Sequence, residues 1–215
     1  LEFLQILTLH WPAILETHQV SDRAMRRNAL IAAQIDLWRD NPPAAPVIIA
    51  GSTGPFPALR DLMKAVLAMP RGRVVLPGLM TGLGRDDWQA INEDATHPQH
   101  LLGTTLRHIG RDPGTVLIWP SVPQSYPQDE ERRRLTREAL RPAQTTDQWR
   151  HIANFAPEIL DGVLRVDCSG AREEAATIAL MMRDALEHPG KTCALVTPDR
   201  GLARRVATEL RRWEI

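Results

Sequence analysis

The sequence predicts an α/β fold built on a parallel sheet, and two observations in residues 46–79 support this fold class. Residues 47–49, Val-Ile-Ile, form a short apolar run between Pro46 and Gly51, which is typical of a strand buried on both faces. Apolar residues at helical spacing follow, and a second apolar run comes at residues 74–76. Because strand, helix and strand follow one another, we expect a βαβ unit with two parallel strands.

The same patterns predict flanking helices and further strands along the rest of the chain. Ser21 is expected to cap a helix that runs through Trp38. Other helices are predicted at residues 1–18, 59–67, 86–91, 101–109, 129–134, from about 146 onward, 172–186 and 202–213. Mostly apolar runs bounded by turn residues predict three more strands, at residues 116–119, 163–166 and 192–196.

The chain divides into four predicted parts. They are a helical segment at 1–45, a first α/β part at 46–120, a helical linker at 121–162 and the truncated start of a second α/β part at 163–215. The linker is assigned because the composition shifts to proline, glutamine and charged residues. The chain starts without an initiating Met and stops directly after a predicted helix, so we expect a fragment of a larger protein.

Composition restricts the functional class. The 26 Lys and Arg residues balance the 26 Asp and Glu residues, so binding to nucleic acid has to use local patches. Cys168 and Cys193 lie far apart without C-x-x-C spacing, which disfavours disulfides and zinc and fits a reducing cytoplasm. No window reaches the roughly 18 apolar residues of a membrane span, and a signal peptide is not recognisable. We therefore expect a cytoplasmic protein without membrane contact.

A glycine-rich turn follows the first predicted strand, at residues 51–57. The backbone amides of such a turn, together with a helix N-terminus, suit an anion. However, Gly-Ser-Thr-Gly-Pro-Phe-Pro lacks the lysine and hydroxyl of the phosphate-loop pattern, and it lacks the dinucleotide fingerprint as well. We interpret it as a tight turn in which glycine relieves backbone strain and Pro57 helps to start the helix.

Histidine and acidic pairs do not indicate a metal or catalytic site. His97 and His100 lie three residues apart, but no third ligand follows at a suitable spacing, so no metal is predicted. Glu173 and Glu174 are adjacent on a predicted helix and point about 100° apart, which disfavours shared acid–base chemistry.

The arginines of the second predicted helix are assigned to a solvated face: Arg23, Arg26 and Arg27.

Two long stretches are similar to a known family. Residues 46–79, PVIIAGSTGPFPALRDLMKAVLAMPRGRVVLPGL, and residues 173–215, EEAATIALMMRDALEHPGKTCALVTPDRGLARRVATELRRWEI, resemble the AddB subunit of bacterial AddAB helicase–nucleases in its alphaproteobacterial form. LEFLQILTLHWPAIL and HPQHLLGTTLRHIG agree with it, so the resemblance spans nearly the whole chain. It implies a superfamily 1 helicase-like (RecA-like) framework, with the family's nuclease domain beyond this chain.

By this resemblance the nucleotide motifs are degenerate. An active motor places Asp-Glu after the strand of its second motif, to hold magnesium and orient water, where this chain has Ala50 and Gly51. The motif that senses the γ-phosphate is replaced by Leu-Pro-Gly-Leu around Pro77, and Pro198 takes the arginine position of the fourth motif. No nucleotide or metal cofactor is therefore expected in this chain.

The resemblance implies a non-catalytic helicase-like scaffold that binds single-stranded DNA. Its parent subunit would process double-strand break ends for homologous recombination and DNA repair, as a heterodimer with an AddA-type helicase–nuclease subunit that supplies ATP hydrolysis. Candidate DNA-binding residues lie in the glycine-rich turn, where bases can stack on an aromatic ring, and on the last helix: Ser52, Thr53, Phe56, Arg204 and Arg205.

Two other functions are compatible with the residues. A small α/β nucleotide-dependent hydrolase or transferase would use Asp86, Asp87 or Glu93, near a loop at 78–84 whose three glycines predict mobility. A protein-interaction domain without nucleic-acid contact is mildly favoured by the net charge of zero.

Overall fold

The computed structural model describes residues 2–119 and 129–215. The chain is mixed α/β, mostly helical, and forms two compact units: unit 1, Leu1–Ile159, and unit 2, Leu160–Ile215. The four-part division from the sequence stays a prediction. Within the described residues, no helix combines the length and apolar character needed to cross a membrane.

A nearly continuous helical stretch opens the chain. α1 (Glu2–Gln5) leads into a π-helix at Ile6–His10, and α2 (Trp11–Thr17) follows. The π-helix adjoins Pro12, which has no N–H for the usual helical bond. The Trp11 N–H donates instead to the Ile6 carbonyl, five residues back. The helix therefore accommodates its proline by a local widening.

α3 (Arg23–Asp40) is capped by Asp22, so the prediction of Ser21 as the cap was wrong by one residue. The Asp22 carboxylate accepts a hydrogen bond from the Met25 N–H at 2.7 Å. This bond holds the pKa of Asp22 below its ordinary value. A carboxylate caps better here because it also complements the positive end of the helix dipole.

The predicted βαβ unit is confirmed, but its first strand is not buried on both faces as expected, since Ile48 is 56% exposed. It consists of β1 (Val47–Ala50), α4 (Pro57–Ala68) and β2 (Gly72–Val75), and the two strands pair in parallel. α4 buries Met63 and Val66 completely. Met63 lies in a core cluster with residues that follow in the chain and with both strands: Leu106, Ile109, Ile49 and Val74. Burying one such side chain stabilises the fold by about 1.5–3 kcal/mol.

After β2, unit 1 continues along the chain with short helices. They are α5 (Arg85–Glu93), α6 (His100–His108), α7 (Asp129–Ala139) and 3-10 helices at Pro113–Thr115 and Ala143–His151. A further 3-10 helix, Pro157–Leu160, ends at the first residue of unit 2. α5 packs against α6 and against the 3-10 helix at Ala143–His151. The 3-10 helix at Ala143–His151 therefore packs on a helix of the first described stretch, residues 2–119.

Unit 2 consists of a pair of packed helices and irregular segments. α8 (Ala171–Leu186) packs on α9 (Arg200–Arg211). Small and branched side chains fill the contact: Ala175, Ala179, Leu202 and Val206. The predicted helices at 172–186 and 202–213 are therefore confirmed, with a shift of one to two residues at their ends.

The three further strands were predicted wrongly. Residues 116–119, 163–166 and 192–196 are irregular, and the sheet in the described residues consists of β1 and β2. A strand needs a neighbour to complete its hydrogen bonds, and no described strand supplies one to these segments. Their apolar side chains are exposed instead, Leu117 by 92% and Val196 by 93%. The structure thus shows a mixed α/β fold with a two-stranded parallel sheet, and does not establish a helicase-like framework.

Gly72→Ala tests the close approach of β2 to α4. A Cβ at residue 72 would overlap the carbonyl oxygen of Val66, so backbone has to shift. We expect the free energy of unfolding to fall by about 1–3 kcal/mol in urea denaturation. Gly84→Ala is the matched control, because its Cβ would lie at an ordinary 3.6 Å from the Asp87 carboxylate. Equal losses in both variants would contradict the explanation.

Candidate nucleic-acid interface

A glycine-dependent turn leaves the carboxyl end of β1, as the sequence predicted. Gly51 and Gly54 have φ angles of 77° and 72°, in the left-handed region that favours glycine. The Ser52 hydroxyl accepts a hydrogen bond from the Gly54 N–H at 3.3 Å, which closes the turn locally. Gly51 also extends the pairing of the strands, since its N–H donates to the Val75 carbonyl at 3.2 Å.

α6 fixes this turn from the side. The Thr105 hydroxyl donates to the Thr53 carbonyl at 2.7 Å, and Thr105 is fully buried. Gly54 lies so close to Thr105 that a Cβ there would overlap the hydroxyl oxygen. The turn therefore has a defined conformation, which orients the residues that follow it.

An arginine stacks on the aromatic ring at the end of the turn. Phe56 is the N-cap residue of α4 and provides no side-chain hydrogen bond to the helix. The Arg27 guanidinium carbon lies 3.9 Å from the centroid of the Phe56 ring. Arg27 is exposed, and its other contacts are two hydrogen bonds to the Asn28 amide oxygen. Its charge is thus held in place by the ring without being neutralised by a carboxylate.

A second arginine reaches the turn from α4. The Arg60 side chain passes beside Gly54, and its Nε is buried without a hydrogen-bond partner among the described residues. Some other arginines of unit 1 form ion pairs, for example Arg39 with Asp36. We call residues 51–56 together with Arg27 and Arg60 the turn surface. It carries two positive charges that no described carboxylate neutralises.

The structure brings three of the predicted DNA-binding residues together and leaves two elsewhere. Ser52, Thr53 and Phe56 belong to the turn surface, where each is half-buried. Arg204 and Arg205 lie on α9 in unit 2, where Arg205 approaches the Asp199 carboxylate at 3.6 Å. DNA binding by any of these residues stays a prediction.

The sequence analysis missed Arg27 and Arg60 as parts of one surface. Arg27 was assigned to a solvated face, and Arg60 was not singled out. A local signal was present, because neither has an acidic residue three or four positions away to pair with on its helix. The contact of Arg27 with Phe56 depends on the packing of α3 against α4, which the local pattern does not contain.

The positions assigned to degenerate nucleotide motifs carry no ionisable side chain. Ala50 ends β1 opposite Val75, and Gly51 follows it. Pro77 is exposed after β2, and Pro198 precedes Asp199, the N-cap residue of α9. None of these four residues can coordinate magnesium or activate water, but the comparison with motor motifs stays a prediction.

Two side chains from later in the chain, Gln99 and Arg137, hold the glycine loop after β2. Gln99 is 7% exposed, and its carboxamide accepts from the Met80 N–H and donates to the Gly78 carbonyl, each at 3.0 Å. Arg137 adds a hydrogen bond to the Thr81 carbonyl at 3.2 Å. The three glycines predicted a mobile loop, whereas the structure shows a loop with three hydrogen bonds from distant side chains.

Asp87 has a structural role. Its Oδ1 accepts hydrogen bonds from Arg141, at 2.7 Å, and from Thr145, while its Oδ2 accepts from the Gly84 N–H at 2.9 Å. Arg141 also pairs with Glu138 at 2.7 Å, and all three charged side chains are largely buried. With both carboxylate oxygens occupied, Asp87 is unavailable as a general base or magnesium ligand.

The remaining polar candidates do not converge. Asp86 and Glu93 are exposed, and Glu93 accepts a hydrogen bond from Gln89 at 3.1 Å. The imidazoles of His97 and His100 contact different carbonyl groups, those of Leu140 and Ile91. In the part of the chain that the structure describes, no three His, Cys, Asp or Glu residues are grouped to hold a metal ion.

Comparisons with known proteins leave the family open. No family model, curated protein or solved structure matches this chain. The resemblance to the AddB family therefore depends on the sequence stretches named above.

The buried ion pairs predict pH-dependent stability. Hydrogen bonding to Arg141 holds the pKa of Glu138 below its ordinary value. Such a carboxylate stabilises the folded protein at neutral pH, and the contribution is lost as the pH falls through the lowered pKa. We expect Glu138→Gln to unfold at lower urea concentration than the wild type at neutral pH, and the difference to close in acid.

Glu130→Gln is the control for this prediction. Glu130 pairs with Arg133 on the exposed side of α7, and such pairs contribute only about 0–1 kcal/mol. A difference between wild type and Glu138→Gln that persists unchanged into acid would show that the ion pair is not its cause.

Proposed function

We propose that this chain is a non-catalytic helicase-like scaffold that binds single-stranded DNA, within an AddB-type subunit that processes double-strand break ends. The turn surface supports this proposal best. It places Arg27, stacked on Phe56, and Arg60 at the carboxyl end of a parallel strand, without a neutralising carboxylate. Loops at this end of α/β sheets are the usual ligand-binding positions.

The arrangement suits an unpaired strand. Arg27 covers one face of the Phe56 ring. On that side, a base would stack on the exposed outer face of the guanidinium and not on the ring itself. Arg60, Ser52 and Thr53 belong to the same turn surface. We propose that their side chains bind the phosphates on either side of the stacked base. Stacking of this kind requires bases that are not paired in a duplex, which favours single-stranded DNA.

The enzymatic alternative has less support. Asp87 is occupied by Arg141, Thr145 and a backbone N–H, and Asp86 and Glu93 lie exposed and are not grouped with other described residues that could hold a metal ion. A nucleotide-dependent hydrolase needs at least one carboxylate free to bind magnesium or orient water. We therefore assign ATP hydrolysis to the proposed AddA-type partner subunit.

Two substitutions test the turn surface in fluorescence-anisotropy titrations with a labelled oligothymidylate. Phe56→Leu removes the ring that holds Arg27, and we expect about a tenfold loss of affinity. Arg27→Gln removes one positive charge, and we expect the slope of log affinity against log salt concentration to fall by about 0.7.

Arg39→Gln is the matched control, since Arg39 lies on the same helix and pairs with Asp36. It should leave both affinity and salt slope at the wild-type values. Absence of binding by the wild type, even beside the partner subunit, would overturn the DNA-binding proposal, as would binding without a salt slope.

Partner binding is favoured by a separate observation at the N-terminus. Large apolar side chains of the stretch 3–14 are exposed, Phe3 by 69%, together with Leu4, Ile6, Leu7, Leu9, Trp11 and Ile14. A contiguous exposed apolar surface is typical of a protein–protein interface. We propose that this stretch contributes to the contact with the AddA-type subunit.

Phe3→Glu combined with Leu7→Glu tests this contact. Both side chains are exposed, so the fold should be retained, whereas charges at an apolar interface are costly. We expect the complex with the purified AddA-type subunit to dissociate in size-exclusion chromatography with light scattering. Leu180→Glu, on an exposed position of α8, is the control. An unchanged complex in the double variant would exclude the stretch from the interface.

A further inference from the structure

A cavity of about 400 Å³ lies between α5 and α6 and is lined by no residue of the turn surface. Its size falls in the range of small-molecule sites, which is about 300–1,000 Å³. Three arginines from three different segments line it: Arg85 at the start of α5, Arg107 near the end of α6, and Arg111 just after it. The cavity therefore gathers positive charge from positions that are separate along the chain.

These arginines are not neutralised by ion pairs. Arg107 donates to the Thr104 hydroxyl at 3.3 Å, and Arg85 and Arg111 have no partner among the described residues. Two carboxylates also line the cavity, but each is engaged locally. Glu93 accepts from Gln89, and Asp112 accepts from the Gly114 N–H at 2.7 Å. The lining thus carries three positive and two negative charges, a net charge of +1, and none of its three guanidinium groups forms an ion pair with the described residues.

Two further side chains of α5, Trp88 and Asn92, line the cavity. The Asn92 carboxamide forms no hydrogen bond with the described residues, and its Oδ1 is buried against Gly103. A polar atom buried without a partner costs about 1–3 kcal/mol, so the carboxamide would gain from turning its oxygen toward a ligand in the cavity. Trp88 is 7% exposed and adds an aromatic ring to the lining.

We propose that this cavity binds a phosphate-bearing ligand of mononucleotide size. The arginines bind the phosphate through charge-assisted hydrogen bonds, and Asn92 and Trp88 interact with the remainder of the ligand. The ligand is either a free nucleoside monophosphate or the terminal nucleotide of a 5′-phosphorylated strand. This site does not depend on DNA binding at the turn surface.

Isothermal titration calorimetry of the whole chain with deoxyadenosine 5′-monophosphate tests the site. Arg107→Gln combined with Arg111→Gln should weaken binding by about tenfold or more, since charge-assisted hydrogen bonds are removed. Asn92→Leu should weaken binding of the mononucleotide but not of inorganic phosphate. Arg150→Gln, exposed on the 3-10 helix at Ala143–His151, is the control. Thermal melts followed by circular dichroism confirm that each variant is folded.

Competition distinguishes the two sources of the ligand. Displacement of the mononucleotide by a 5′-phosphorylated oligonucleotide, but not by its 5′-hydroxyl counterpart, would identify a strand end as the ligand. Displacement by neither would identify a free nucleotide. The proposal is overturned if the wild type does not bind the mononucleotide, if inorganic phosphate binds as tightly as the mononucleotide, or if the arginine variant binds as tightly as the wild type.

Discussion

The parallel pairing of β1 with β2 against α4 is the constraint on which unit 1 depends. Its register sets Ala50 opposite Val75, so the turn after β1 and the loop after β2 leave the sheet at the same edge. The pairing itself requires Gly72, because the backbone of β2 approaches the Val66 carbonyl too closely for a Cβ. α6 then packs over Met63 and brings Thr105 to the turn. The pairing of β1 with β2 therefore determines where the turn surface lies.

The βαβ unit was predictable from the sequence because its determinants are local. An apolar run, a helical repeat and a second apolar run specify the order of elements without knowledge of distant contacts. The positions of Gly51 and Gly54 similarly predicted backbone conformations that other residues seldom adopt. The candidate residues Ser52, Thr53 and Phe56 of the turn surface came instead from the resemblance to helicase-like proteins.

The other features of the fold and of the candidate site could not be predicted, because they depend on contacts between residues that are far apart in the sequence. The salt bridge from Arg141 to Asp87 spans 54 residues, and no local spacing identifies Asp87 as its partner. The stacking of Arg27 on Phe56 is likewise a result of how α3 packs against α4. The runs at 116–119, 163–166 and 192–196 have the composition of strands, yet a strand also needs a neighbour. The sequence pattern shows that these runs have the composition of strands, but it does not show whether a neighbouring strand is present.

The two hydrogen bonds of Gln99 have a consequence for recognising distant relatives. The carboxamide uses its oxygen for the Met80 N–H and its nitrogen for the Gly78 carbonyl. A glutamate of the same shape would direct an oxygen at that carbonyl, and asparagine is one methylene too short to reach both groups. In a distant relative that keeps this loop, glutamine is therefore the residue expected at the position of Gln99.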